Sequence, residues 1–431
     1  MNAQMVITLL MMLVIIVLLV KGVAGPGTIF LITPIAASVI MGYSFKDINS
    51  FISSGMKSVG SSLFLMVVAV LYFSILHEAG VFKAMVRFVM RFLGNSVAGT
   101  LIVTVLISFL TQLDGSGATT ALCTIPTMRP VFEKQKIRRE TLLLVESLAS
   151  GIFCLLPWAP GLVEASAYVE VDPFEVFRYL IPLIVFSVFL LFLFCIPLSW
   201  LEKKRGAGLN DEEFDRMKEE LAEKLELPFG CNVAIFDGVL TILLMAGMLA
   251  GILPANLAFA VGYPILLFVN YRSNDKKRDY MKRQAPLALN LAYTMLGVAV
   301  LVGVNNGTGA LSELAVWMSE NVSHKLLAQV PLLLCVFSVP LSITLGSSKN
   351  SGILPAIIPI VMEFGFTPIQ VVGAVFATGV ISANLNLFNA TPYLALGLAG
   401  VEMKDHLKYS LLPVIGFSLI MTGFLVISGM L

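Results

Sequence analysis

Charge is what this sequence has least of. Only 13% of its 431 residues are Asp, Glu, Lys or Arg and 58% are hydrophobic, where soluble domains carry roughly 25% charged residues. One water-soluble core cannot hide so many apolar side chains, so an integral membrane protein is expected. An excess of either sign is missing too. The 28 Lys and Arg nearly cancel the 27 Asp and Glu, which removes the electrostatic basis for binding nucleic acid. The five cysteines (Cys123, Cys154, Cys195, Cys231, Cys335) stand singly in apolar surroundings. With no C-x-x-C spacing and no Cys/His cluster, disulfides, structural zinc and a resident metal or other cofactor are not expected. Met1 to Val20 lacks the basic n-region and small-residue cleavage site of a signal peptide and reads as a retained span.

Long apolar runs are what the chain has instead. A bilayer core about 30 Å thick takes about 20 helical residues per crossing. Ten segments are long enough, near 4–20, 26–43, 59–76, 140–157, 179–201, 232–252, 254–271, 286–304, 370–388 and 409–430, so a receptor with one anchor is excluded. Basic residues gather at Lys83/Arg87/Arg91, Arg129/Lys134/Lys136/Arg138/Arg139, Lys203/Lys204/Arg205 and Arg272/Lys276/Lys277/Arg278/Lys282/Arg283. The positive-inside rule places these in the cytoplasm. The expectation is a multi-pass protein of the inner (plasma) membrane with both termini outside.

Residues 98–128 conflict with a single crossing, because cytoplasmic charge lies on both sides of them. Leu113-Asp114-Gly115-Ser116-Gly117 breaks the stretch, and the return arm from Ala118 to Met128 rises only about 17 Å as a helix. A re-entrant hairpin resolves the conflict, its tip tolerable where protein or a water-filled cavity satisfies the backbone. Residues 326–364 repeat the pattern around Leu345-Gly346-Ser347-Ser348-Lys349-Asn350-Ser351-Gly352, entering from the opposite face. An offset of 232 residues aligns Leu113 with Leu345, Ser150 with Ser382, Leu155 with Leu387, Pro160 with Pro392 and Leu162 with Leu394. It also aligns a second pair of breaks, at Leu156-Pro157-Trp158-Ala159-Pro160-Gly161 and Leu387-Phe388-Asn389-Ala390-Thr391-Pro392. The expected fold is therefore an all-α polytopic membrane protein of about ten spans plus two hairpins in two inverted-topology repeats. The first repeat is 1–201, with hairpin 98–128 and broken span 140–170. A cytoplasmic linker helix follows at 202–229. The second repeat is 230–431, with hairpin 326–364 and broken span 370–403. Interfacial helices are expected at 77–94 and 308–322.

Paired discontinuous segments in inverted halves point to a secondary transporter with its site at the midplane. An acid at a hairpin tip costs at least about 2.5–3.5 kcal/mol to insert, so Asp114 should be paired, cation-bound or protonated. A tip-capping role is its structural alternative. Asp114, Gly115, Asn384, Asn386 and Glu146 are the candidates for a cation or proton site. Glu146 could instead pair with a cytoplasmic arginine, and Asn384 and Asn386 could glue helices. Ser116, Thr119, Thr120, Pro157, Trp158, Ser347, Ser348, Lys349, Asn350, Asn389 and Thr391 are the candidates for the substrate site. Lys349 could meet a carboxylate or partner Asp114 or Glu146, and Trp158 could serve packing. The half-helices after the breaks present positive dipole ends to an anion. His77, His324 and His406 all fall near membrane boundaries, which argues against a buried proton relay. Gly115-Ser116-Gly117 also raises an intramembrane hydrolase, but no base accompanies the serine.

Three segments resemble the citrate-metal/proton symporter (CitMHS) family of the ion transporter superfamily. Leu113-Asp114-Gly115-Ser116-Gly117-Ala118-Thr119-Thr120 is similar to the family's LDGDG(S/A)TT tip, and Leu156-Pro157-Trp158 to its PWGGP break. Gly397-Leu398-Ala399-Gly400-Val401-Glu402 followed by Asp405-His406 resembles its GLAGVELGDH segment. Ser116 stands in place of a second acid, Glu164 near where an arginine often follows the break, and Lys349 where the family tends to an acid. The resemblance implies cation-coupled symport, with H+ or Na+, of a di- or tricarboxylate such as citrate. It further implies an elevator in which hairpins and broken spans move against a dimerising scaffold, so a homodimer in the lipid bilayer. A divalent metal could travel complexed with the substrate, although the departures favour the free anion. A sodium/proton antiporter of the same superfamily is the alternative.

Overall fold

The computed structural model describes the chain except residues 1, 22, 210–213, 215–230, 322, 324–328, 346–364 and 387–389. The described residues are helical, with no strand among them. In the first half the helices are α1 (Ala3–Val20), α2 (Pro26–Ile40), α3 (Phe45–Ala79), α4 (Val81–Met90), α5 (Val97–Thr111), α6 (Gly117–Lys134), α7 (Arg139–Phe153), α8 (Pro160–Tyr168) and α9 (Pro173–Lys203). The second half has α10 (Cys231–Leu249), α11 (Ala255–Asn270), α12 (Asn274–Thr308), α13 (Ala310–Asn321), α14 (Val330–Val336), α15 (Ser338–Leu345), α16 (Pro368–Val380), α17 (Ala390–Ala399) and α18 (Met403–Ile427). Helix starts in the two halves pair in order: 3 with 231, 26 with 255, 45 with 274, 81 with 310, 97 with 330, 139 with 368, 160 with 390 and 173 with 403.

Among the described residues six helices are long and apolar enough to cross a membrane: 45–79, 97–114, 173–203, 232–249, 274–308 and 403–427. Helices at 3–19, 26–40, 255–270 and 368–380 are apolar but shorter. The expected span at 140–157 is the 15-residue α7, which stops at Phe153. Conversely, 97–114 read as a hairpin arm, yet it is long enough by itself to cross. The tip of the second hairpin and most of the linker lie outside the described residues.

Local chemistry sets the element ends. Ser44 and Asp47 form a capping box at the start of α3, and Gly80 closes it in the left-handed conformation (φ 81°). Ser273 caps α12 and Gly309 ends it at φ 65°. These two 35-residue helices pack against each other at glycines: a Cβ on Gly55 would sit 1.9 Å from the Ala299 carbonyl oxygen, and one on Gly303 2.1 Å from that of Phe51. Backbone-to-backbone approach of this kind is how helices associate in lipid, where burying apolar surface gives no drive.

The buried side chains form two cores. One joins α1, α2, α3, α11 and α12, including Phe30, Tyr72, Phe259 and Val298. The other joins α5–α7, α9, α14–α16 and α18, including Leu101, Phe132, Leu148, Val372 and Phe417. Each draws on both halves of the sequence. Helix α8 touches both, giving Leu162 to the second core and Val163 and Tyr168 to the first. The C-terminal end of α17 is held by arginines: Arg129 Nη1 donates to the Leu398 carbonyl at 2.8 Å and Arg139 Nη1 to that of Gly400 at 3.4 Å. Glu133 lies between them, 2.8 Å from Arg129 and 2.6 Å from Arg139. The Arg129 hydrogen bond holds the Glu133 carboxyl below the usual carboxylate range.

Candidate functional site

Helix α5 ends in a 3-10 turn at Gln112–Asp114, and Gly115 (φ 74°) reverses the chain into α6. Only glycine fits there, for the backbone angle is left-handed and a Cβ would lie 2.7 Å from Ala159 Cα. The tip is thus pressed directly onto the break between α7 and α8. Asp114 is nearly buried, 9% exposed. Its Oδ1 accepts the Ser116 N–H at 2.8 Å, and the Thr119 side chain also bonds the carboxylate. Ser116 Oγ in turn accepts the Thr119 N–H at 3.4 Å, capping α6.

A cavity of about 470 Å³ opens at this tip, within the 300–1,000 Å³ range of small-ligand sites. Asp114, Ser116, Gly117, Ala118 and Thr119 line it from the tip, Pro160 from the start of α8 and Thr391 from α17. Its opposite wall is Phe73, Ser74 and His77 of α3 with Gln284, Leu287 and Leu291 of α12. Two helix N-termini, those of α6 and α8, therefore face one cavity. Their first N–H groups lack helical partners, an arrangement that suits an anion. Among the described lining residues there is no lysine or arginine.

The expected substrate residues separate on this geometry. Ser116, Thr119 and Thr391 come together beside Asp114, Gly117 lying so close to Thr391 that a Cβ would be 3.2 Å from its Cγ2. Thr120 is turned inward, fully buried, with its hydroxyl donating to Gln112 Oε1. Pro157 is buried and away from the cavity. Trp158 supports the tip from behind: 2% exposed, it stacks on Phe73 and donates Nε1–H to the Leu113 carbonyl at 2.7 Å. Trp158→Phe strands that carbonyl, so it is expected to cost about 1–3 kcal/mol. A lower melting midpoint in detergent is the readout, and an unchanged one would mean that the bond holds nothing. Ser347, Ser348, Lys349, Asn350 and Asn389 lie outside the described residues.

The expected cation residues divide as well. Asp114 lines the cavity, whereas Gly115 next to it abuts Ala159. Glu146 is fully buried and its Oε2 accepts from Asn384 Nδ2 at 2.7 Å; its partner is an amide rather than a cytoplasmic arginine. The arginines are engaged elsewhere, Arg138 with Glu202 at 2.9 Å and Arg139 with Glu133. Asn386 is buried just past the 3-10 turn Ala383–Leu385. His406, expected at a membrane boundary, is 1% exposed and packed inside. His77 does lie at the end of α3 but belongs to the cavity wall. His324 lies outside the described residues. No signal in the sequence marked Ser74, Gln284 or Leu291, which sit mid-run on long helices.

Comparisons with known proteins identify the family of the chain. The model of the citrate transporter family CitMHS matches residues 1–348. The chain is 24% identical over 413 residues to a citrate transporter of Bacillus subtilis (strain 168), covering 96% of each. It is 23% identical over 421 residues to the Mg(2+)/citrate complex secondary transporter of the same organism, covering 97% of each. Among solved structures it is similar to the YdaH transporter of Alcanivorax borkumensis (TM-score 0.59, 15% identity, 88% of each chain). MtrF of Neisseria gonorrhoeae is similar too (TM-score 0.54, 15% identity, 89% of this chain and 82% of that one). These two likenesses establish the fold as one found in membrane transporters. Helices long enough to span and the family match converge: this chain is a multi-pass membrane transporter, not an enzyme, and belongs to the CitMHS citrate transporter family.

Proposed function

We propose that the protein is a secondary active transporter carrying citrate or a related di- or tricarboxylate together with a proton or sodium ion. The observation that carries this reading is the cavity at the hairpin tip, onto which two helix N-termini and one carboxylate open. The half-helix dipoles attract a carboxylate substrate. Asp114 repels it, and bringing an anion of several charges into low dielectric is costly without compensation. A coupling cation at Asp114 removes both objections, since the loaded site then approaches neutrality. Lys349, which the sequence puts within the second expected hairpin, is a further counter-charge in this reading.

The cavity lies where α3 and α12 of one packed body face the tip, α6 and α17 of the other. That placement supports an elevator, the second body moving as a unit past the first, with the first as scaffold of a homodimer. The paired helix starts support two inverted repeats, with the basic loops in the cytoplasm, the termini outside and the protein in the inner (plasma) membrane. The test is uptake of labelled citrate by proteoliposomes with and without imposed proton or sodium gradients. Accumulation driven by one of the gradients is expected. Equilibration at the same rate without a gradient overturns the coupling, and absence of citrate entry overturns the substrate.

A further inference from the structure

The start of α9 comes close to α3 and to the turn between α10 and α11, and two cavities share that junction. The first, about 220 Å³, is polar: Ser61 and Ser62 of α3, Asp172 and Arg178 of α9 and Asn256 of α11 line it. The second, about 270 Å³, is an apolar groove formed by Phe177, Ile181, Ile184 and Val185 of α9 with Leu249 of α10. Phe174 and Arg178 belong to both. A polar pocket and an apolar groove thus meet at one guanidinium.

Arg178 is the one cation and Asp172 the one acid among the described residues that line the polar pocket. Among the described residues neither forms an ion pair, with the other or elsewhere. Asp172 Oδ1 accepts the Phe174 N–H at 2.7 Å and caps α9, while the side chain stays exposed. The guanidinium sits over the turn, where a Cβ on Gly251 would be 3.4 Å from Arg178 Nη2. Asn256 Nδ2 donates to Ser61 Oγ at 2.7 Å, tying α11 to α3 at the same place. Helix α9 has 31 residues, about 46 Å of helix against a hydrocarbon core about 30 Å thick. Its ends therefore project among lipid headgroups, and Arg178, in its second turn, lies at that depth. Beyond it, Ile181, Val185 and Phe189 are 42%, 63% and 65% exposed and follow one another at helical spacing, a stripe turned to lipid.

We propose that this junction binds one phospholipid with a primary-amine headgroup. Arg178 takes the phosphate through its fork of N–H donors, Asp172 takes the ammonium, and the groove along α9 takes the first part of an acyl chain. The charges match one for one. A free anion fits less well, since it faces the Asp172 carboxylate and leaves the groove unused, and an acidic lipid without an amine meets the same repulsion. Phe177 and Ile184 belong to one core and Phe174 and Leu253 to the other. A lipid held here touches both, so its binding stabilises their contact.

The test is native mass spectrometry of the full-length protein in detergent, titrated with phosphatidylethanolamine, phosphatidylcholine and phosphatidylglycerol of identical acyl chains. Wild type is expected to bind phosphatidylethanolamine about fivefold more tightly than either of the others. Arg178→Ala and the gentler Arg178→Gln are each expected to weaken that binding about tenfold. Asp172→Asn keeps the helix cap and is expected to bring phosphatidylethanolamine and phosphatidylglycerol within about twofold of each other. Glycerophosphoethanolamine and inorganic phosphate, which lack acyl chains, are expected not to displace the lipid at equal concentration. Displacement by either makes this a site for a soluble anion and overturns the proposal. Equal wild-type affinity for the three lipids, unchanged binding in both arginine variants, or a full preference retained by Asp172→Asn overturns it as well.

Discussion

Asp114→Asn is expected to lower citrate uptake by proteoliposomes about 100-fold, equivalent to roughly 2.7 kcal/mol of lost stabilisation. Asparagine has the same shape and keeps an oxygen for the Ser116 N–H, which Asp114 Oδ1 accepts at 2.8 Å. The tip therefore still forms, and the change removes only the negative charge. If that carboxylate only capped the turn, asparagine would serve as well, and uptake would stay within about threefold of wild type. If it binds the cation that offsets the substrate, uptake collapses while the melting midpoint does not move. Asp114→Glu retains the charge but lengthens the side chain in a tip where Gly115 already abuts Ala159, so partial activity with weaker cation dependence is expected. Rates measured across a cation titration separate the two outcomes.

Gly303→Val is expected to abolish folded protein altogether. The glycine lets α12 lie against α3 at backbone distance, where a first side-chain carbon would already be 2.1 Å from the Phe51 carbonyl oxygen. Overpacking a core usually costs about 1–3 kcal/mol because flexible side chains give way. Here the obstacle is backbone on a 35-residue helix, which cannot yield locally. Gly55 meets the Ala299 backbone from the other side, and Gly307 faces the Phe51 ring, so the whole contact must open. Size-exclusion chromatography of a fluorescently tagged protein from detergent extracts is the check, with aggregate or no peak expected. Gly303→Ala should show the same defect in milder form, and a monodisperse Val variant would mean that α3 and α12 do not pack as described. Loss here leaves no transporter to assay, whereas Asp114→Asn leaves an intact one, and the contrast distinguishes scaffold from site.

Both residues show how far the amino-acid order reaches. Asp114 was legible because a carboxylate between two glycines inside an apolar run is expensive and interrupts a helix, and both effects are local. Gly303 was not, since glycine is frequent in membrane helices and only its partner shows why it is there. The burial of His406 was not legible, because its sequence neighbours Lys404, Asp405 and Lys408 are exposed while its own ring is buried. The break within the span 140–170 was legible, because Pro157 and Pro160 stop α7 at Phe153 and begin α8 anew.

Composition and breaks by themselves determined that this chain lives in a membrane, where its helices are interrupted and that a polar tip lies among apolar segments. Those are consequences of desolvation and of backbone hydrogen bonds lost at glycine and proline, which act within a few residues. The tertiary structure decided which surfaces meet: that Glu146 pairs with an amide 238 residues away, that His77 and Gln284 wall the cavity, and that Thr120 and Trp158 face away from it. The reason is that lipid is as apolar as a protein core. A membrane helix needs no polar outer face, so its sequence carries little periodicity to mark which side turns inward, and only packing against distant segments assigns it.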